Sequence, residues 1–244
     1  GSTGSGKTTI LNAITGLVDP DYKIFTVEDV SEINIKHKNW FSLVSRTGFG
    51  TGNEGEIGLY DLIKSGVRHR PDYIVVGEIR GSEAYVMFQA MATGHGGLCT
   101  MHADSLESAC KRLQQKPMDI PASYMSLMNC AIIIKRVKGQ DGKSTRRAVV
   151  VQEIKSAIDF YDAFKWDPKS DYFNPQLEDS EMFQRISDQT GRNMDEILEE
   201  FQKRKIVIKW LVERGFRDFA KVSEIIGKYY RDPNSLLNKI QYGV

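Results

Sequence analysis

Gly1-Ser2-Thr3-Gly4-Ser5-Gly6-Lys7-Thr8-Thr9 opens the chain and fits GxxxxGK[ST] at every constrained position. Its glycines let backbone N–H groups converge on phosphate oxygens with no Cβ in the way. The apolar spacing of Ile10, Leu11, Ala13, Ile14 and Leu17 predicts a helix over Lys7 to Leu17, with its N-terminus aimed at the same oxygens. On this motif Ser2, Thr3, Gly4, Ser5, Gly6, Lys7, Thr8 and Thr9 are the expected nucleotide-binding residues. Lys7 is to reach the β- and γ-phosphates and Thr8 to ligate magnesium, so ATP and Mg2+ are the expected cofactors. A P-loop joins a buried strand to a helix. The motif starts at residue 1, so that strand, and whatever precedes it, is expected outside these 244 residues.

Working outward, Tyr73-Ile74-Val75-Val76 is a short apolar run that suits a strand buried on both faces. Gly77 and Glu78 follow it, so Glu78 is expected at the C-terminal edge of the sheet, where ligands bind in such folds. It is the expected water-orienting carboxylate, and a magnesium contact directly or through water. A second strand, Lys23 to Val27, runs into Glu28 and Asp29. With Glu32 these place three carboxylates within five residues, a costly crowding that a nearby cation would relieve.

His102 follows an expected strand over Leu98 to Met101 and should share the Glu78 edge. His95 lies in Thr93-Gly94-His95-Gly96-Gly97, read as a turn that brings backbone close to a ligand. Arg46, Arg68, Arg70 and Arg80 flank these motifs and are all candidates to complete the site.

Strands alternate with helices as far as about residue 114, the rhythm of a mostly parallel α/β sheet with helices on both faces. The further helices are Leu59 to Arg68, Ser82 to Thr93, and Ser105 to Gln114 with Ser105 as its cap; Trp40 to Val44 adds a strand. A glycine-rich loop is expected over Thr47 to Gly58. Ala131 to Val137 and Arg147 to Ile154 read as a β-hairpin. Residues 178 to 241 read as helix, broken near Gly191, Gly215 and Asp232-Pro233. The expected division is 1–156, an ATPase core, and 157–244, a mainly helical C-terminal region.

Composition narrows the classes. Hydrophobic content of 41% and charged content of 27% are those of a globular chain, and a net charge of +1 argues against a nucleic-acid partner. There is no apolar run long enough to span a bilayer. Three cysteines, Cys99, Cys110 and Cys130, form no CxxC pair, which excludes a zinc ribbon built from them. Cys99 and Cys130 sit in apolar runs and read as core residues of a protein kept in a reducing cytoplasm. Two other classes compete: a RecA-like nucleic-acid motor, which would need a basic, aromatic-rich groove, and a nucleotide switch that does not hydrolyse.

Four blocks, GSTGSGKTT (1–9), TVEDVSEI (26–33), RPDYIVVGEIRGSEA (70–84) and ATGHGGLCTMHADS (92–105), in this order resemble the secretion ATPase superfamily. That superfamily powers type II and type IV secretion, type IV pili and archaella. HKNWFSLVSR (37–46) and, more loosely, GFRDFAKVSEIIGKYYRDP (215–233) are most similar to its archaeal branch, first the archaellum motor ATPase and next archaeal pilus-assembly ATPases. The four-cysteine zinc module of the bacterial type II form is absent.

The resemblance implies a RecA-like core working as a homo-hexamer, under a separate N-terminal domain that covers the nucleotide and contributes arginines. It implies a position at the cytoplasmic membrane, a polytopic platform protein there, accessory cytoplasmic motor proteins, and no nucleic acid. It assigns Glu78 to the Walker B position, Glu28 and Asp29 to the Asp box, and His95 and His102 to the His box. Glu78, Glu28 and His102 are thereby the expected catalytic residues, with Asp29 and His95 near the nucleotide. The superfamily lacks the usual aspartate before its Walker B glutamate and Gly77 shares that habit, so the choice of base between the carboxylates stays open.

Overall fold

A computed structural model describes residues 1–48, 55–139 and 142–242. The first half alternates strand and helix: α1 (Lys7–Thr15), β1 (Ile24–Glu28), β2 (Trp40–Val44), α2 (Leu59–Arg68), β3 (Tyr73–Val76), α3 (Glu83–Ala92), β4 (Gly96–Cys99) and α4 (Leu106–Gln114). The strands form one parallel sheet in the order β2-β1-β3-β4. Strand alternation decides which helices each face receives. Phe25, Val27, Ile74 and Val76 join the larger core with Leu62 and Ile63 of α2 and Met87 and Phe88 of α3. Ile24 and Val75 point the other way and pack with Leu11 of α1. The central strands are therefore buried on both sides, as their unbroken apolar runs require.

Two corrections concern β4 and the cysteines. The strand begins at Gly96, not at Leu98, and its glycines serve packing instead of a ligand. A Cβ on Gly96 would lie 2.7 Å from the Tyr73 ring, and one on Gly97 2.6 Å from the Met91 sulfur. Cys99 and Cys130 are exposed, because β4 and β5 are border strands of their sheets.

A close approach also fixes α2 on the sheet. A Cβ on Gly66 would come within 2.6 Å of Phe25 Cδ1, and that ring is only 2% exposed. Gly66→Ala is therefore expected to destabilise the chain by about 1–3 kcal/mol, the usual cost of overpacking against a side chain that cannot move. The midpoint of urea unfolding would show it.

The second sheet is antiparallel, in the order β5 (Cys130–Lys138), β6 (Ser144–Ile154), β7 (Phe160–Asp167) and β8 (Tyr172–Pro175). It lies on both sides of the division expected near residue 157. The β7–β8 pair was not expected from the sequence, although Asp167-Pro168-Lys169-Ser170 carries the turn signal. The Asp167 carboxylate accepts the N–H groups of Lys169 and Ser170 and the Ser170 hydroxyl.

Helices α5 (Glu181–Thr190), α6 (Met194–Glu213), α7 (Phe219–Arg231) and α8 (Pro233–Tyr242) follow. They break where the sequence indicates, with Gly191 and Gly215 at positive φ. Asn193 and Glu196 close a capping box that starts α6. Val207, Leu211, Ile226, Tyr229 and Leu236 form a separate core. This region is seated on the P-loop helix: Phe219 fills the space beside Gly16, and the Tyr230 hydroxyl donates to the Leu17 carbonyl at 3.1 Å.

Candidate functional site

The parallel sheet brings its strand ends to the N-terminus of α1, and a cleft of about 430 Å³ opens there. Gly4 and Gly6 hold positive φ, 69° and 98°, so the loop curls in a way only glycine adopts freely. Lys7 Nζ donates to the Ser2 carbonyl at 3.3 Å, across the loop it is to serve. Thr3, Gly4, Gly6, Lys7, Thr8 and Thr9 line the cleft. Ser5 is fully buried beneath it, its hydroxyl without a partner.

Glu28, Asp29 and Glu78 form the facing wall, with Glu32, Gly77 and Thr100. Glu28 is 2% exposed. Its Oε1 accepts the N–H groups of Glu32 and Ile33, at 3.0 and 2.8 Å, while its buried Oε2 has no partner. An orphaned carboxylate oxygen at such depth is costly unless a cation or water completes it.

Gly77 explains how Glu28 reaches this place. A Cβ there would lie 3.1 Å from Glu28 Cγ, so the carboxylate side chain from β1 occupies the room that a side chain at position 77 would need. A side chain at position 77 would press on Glu28 and push its carboxylate aside by a few tenths of an ångström. Thr100 fixes the backbone of this turn, its hydroxyl donating to the Gly77 carbonyl at 2.6 Å.

Asp29 is already paired. Arg80 Nη2 donates to its Oδ2 at 2.6 Å and Ser45 Oγ to its Oδ1 at 3.0 Å. Arg80 also lies 3.9 Å from Glu78, and both side chains are partly exposed. Of the four flanking arginines only Arg80 lines the cleft; Arg46 instead donates to the Gly55 carbonyl at 2.9 Å.

The histidines separate. His102 leaves the end of β4 on the P-loop side, with Nε2 3.5 Å from Thr3 Oγ1 and Nδ1 buried without a partner. His95 precedes β4 and so stands at the opposite edge of the sheet, its ring against the Ala90 carbonyl and Thr93 hydroxyl at the end of α3. The structure does not bring His95 to the cleft, because β4 runs parallel to β3 and its N-terminal end lies at the edge of the sheet away from Glu78.

The sequence reading missed Arg146, which lines the cleft and donates from Nε to the Gly4 carbonyl at 2.9 Å. A signal was present: the hairpin IKRVKGQDGKSTRRA (134–148) carries six cations against one aspartate.

Among the described residues no three His, Cys, Asp or Glu side chains make a metal cage by themselves. A magnesium site borrowed from nucleotide phosphates needs none, since this ion keeps several waters and takes one or two protein ligands. Thr8, Glu28 and Glu78 around one cleft fit that pattern.

With this geometry in hand, comparison with known proteins places the chain. The type II/IV secretion system protein family matches residues 1–157, and the chain belongs to this family, within the secretion ATPase superfamily. The uncharacterised protein MJ1287 of Methanocaldococcus jannaschii is 38% identical over 228 residues, covering 91% of this chain and 84% of its own length. The type IV secretion system protein PtlH of Bordetella pertussis is 35% identical over 166 residues, 62% of this chain and 47% of PtlH. The VirB11 ATPase of the Brucella suis type IV secretion system, solved with sulphate, superposes with a TM-score of 0.52 at 27% identity, over 62% of this chain and 46% of that one. The chain thus spans less than half of the last two. Among the described residues, no helix is long and apolar enough to cross a membrane.

Proposed function

We propose that this chain binds MgATP at the P-loop and hydrolyses it, as the motor core of a homo-hexamer. The observation that carries the reading is the buried, unpartnered Oε2 of Glu28, a residue that lines one cleft with Lys7 and Thr8. Lys7 would hold the β- and γ-phosphates in place of the Ser2 carbonyl, and Thr8 would ligate the magnesium. That ion, when bound with ATP, neutralises phosphate charge. Glu28 orients the attacking water with its free oxygen, since its other oxygen is immobilised by two backbone donors. Glu78, partly exposed beside Arg80, would hold the metal's water shell, and Asp29 keeps Arg80 in place. His102, joined to Thr3, reports the loop's occupancy to the end of β4. Residues 1–156 carry the nucleotide chemistry and 157–244 pass its motion on through α7, whose Tyr230 bonds to the Leu17 carbonyl just beyond the end of α1.

The archaeal stretches 37–46 and 215–233 favour an archaellum motor, at the cytoplasmic face of the membrane, acting on a polytopic platform protein with accessory cytoplasmic motor proteins and under an N-terminal domain of the same chain. The likeness to PtlH supports a second reading, a secretion or pilus-assembly ATPase. Nucleic acid is not a proposed partner.

Phosphate release tests the reading. With MgATP the chain is expected to turn over, and EDTA is expected to reduce release to background. Tight nucleotide binding with no release above background would favour the switch, and the hydrolytic reading would fall.

A further inference from the structure

The β5–β6 hairpin sets Arg136 directly opposite Arg146. Like charges in that relation repel, and a folded chain keeps such a pair at a cost unless an anion lies between them. The neighbouring pair, Lys135 opposite Arg147, shows the usual remedy. Arg147 forms a two-bond fork on Asp171, at 2.7 and 2.8 Å, and together with the Trp166 indole N–H it holds that carboxyl down to about 2. Among the described residues no carboxylate pairs with Arg136 or Arg146.

Their place on the molecule says where the anion would be. Alternation along the strands puts both on the opposite face of the hairpin from Lys135 and Arg147. That face meets the P-loop. Arg146 Nε donates to the Gly4 carbonyl, and a Cβ on Gly6 would lie 3.3 Å from Arg146 Cδ. A Cβ on Gly4 would lie 3.9 Å from Arg136 Nη1. With Nε engaged, the two terminal amino groups of Arg146 stay available beside the loop, in the planar fork that matches phosphate oxygens. A merely solvated Arg146 would not be anchored to a P-loop carbonyl.

We infer that Arg136 and Arg146 are phosphate ligands of the nucleotide at the P-loop, supplied by the chain itself from its β5–β6 hairpin. The inference rests on the nucleotide reading above. The anion also completes the hairpin electrostatically, since it relieves the repulsion across the strand pair.

Calorimetric titration of the 244-residue chain with MgADP and with inorganic tripolyphosphate tests it, on the wild type, Arg136→Gln, Arg146→Gln and Lys7→Ala. Each arginine variant is expected to bind both probes about tenfold more weakly, and Arg136→Gln, which relieves the repulsion, to melt no lower than the wild type in the absence of ligand. Arg136→Gln decides most, because Arg136 makes no bond to the loop, so its effect cannot come from lost support. Arginine variants that bind tripolyphosphate like the wild type, while Lys7→Ala does not, overturn the inference and leave the nucleotide reading standing. A wild type that binds neither probe overturns both.

Discussion

Glu28→Gln is expected to slow ATP turnover by about 10²–10⁴-fold, the range that a positioned acid–base group supplies, while MgATP affinity stays within a few-fold of wild type. The substitution is nearly isosteric, so the amide side chain would still fill the room beside Gly77. Its amide oxygen would still accept from Glu32 and Ile33, at the positions where Oε1 now accepts at 3.0 and 2.8 Å. What changes is the inner oxygen, now buried and unpartnered, which becomes an NH2 group that cannot accept a proton. A single-turnover measurement separates this from a binding defect. Glu78→Gln serves as the contrast. Glu78 is proposed to act on the metal's water shell, so its loss should raise the magnesium concentration needed for half-maximal turnover. If Glu28→Gln kept wild-type turnover and Glu78→Gln lost it with no change in magnesium dependence, the two roles would be exchanged.

Lys7→Ala carries the other large effect, an expected loss of about 100-fold in MgATP affinity with turnover at background. The charges around the cleft explain why. Glu28, Asp29, Glu32 and Glu78 face it with four carboxylates, against Lys7, Arg80 and Arg146. Arg80 is already committed to Asp29 at 2.6 Å. Among the described residues, Lys7 has one side-chain bond, at 3.3 Å to the neutral Ser2 carbonyl. One unit charge about 4 Å from a phosphate oxygen is worth roughly 4 kcal/mol at an effective dielectric of about 20, and screening in an open cleft reduces that to the roughly 100-fold expected here. Fluorescence competition with a labelled ADP would measure it. An alanine variant with wild-type affinity would remove the P-loop from the proposed site.

Much of the first 114 residues was legible, because most elements there, β4 excepted, carry a local signal strong enough to survive their surroundings. The P-loop glycines, the helical spacing of α2 and the run Tyr73 to Val76 each have few conformational alternatives. The β7–β8 pair was harder to read, since a strand that gains its pairing from β6 needs little alternation of its own. His95 and His102 lie seven residues apart in one motif, and both were expected near the nucleotide. Strand direction separated them, placing one at each end of β4.

The carboxylates divide in the same way. Their positions after β1 and β3 followed from short apolar runs that end in acid, and so did their common edge of the sheet. That Glu28 occupies the space left by Gly77, and keeps one buried oxygen without a partner, depends on side-chain volume across two neighbouring strands, which no local pattern encodes. Arg146 is the plainest case. Its bond to Gly4 spans 142 positions of the chain, and only the folding of the second sheet against the first brings the two together. Local sequence chooses among the few backbone states open to each segment, whereas contacts between distant segments exist only once the whole chain has packed.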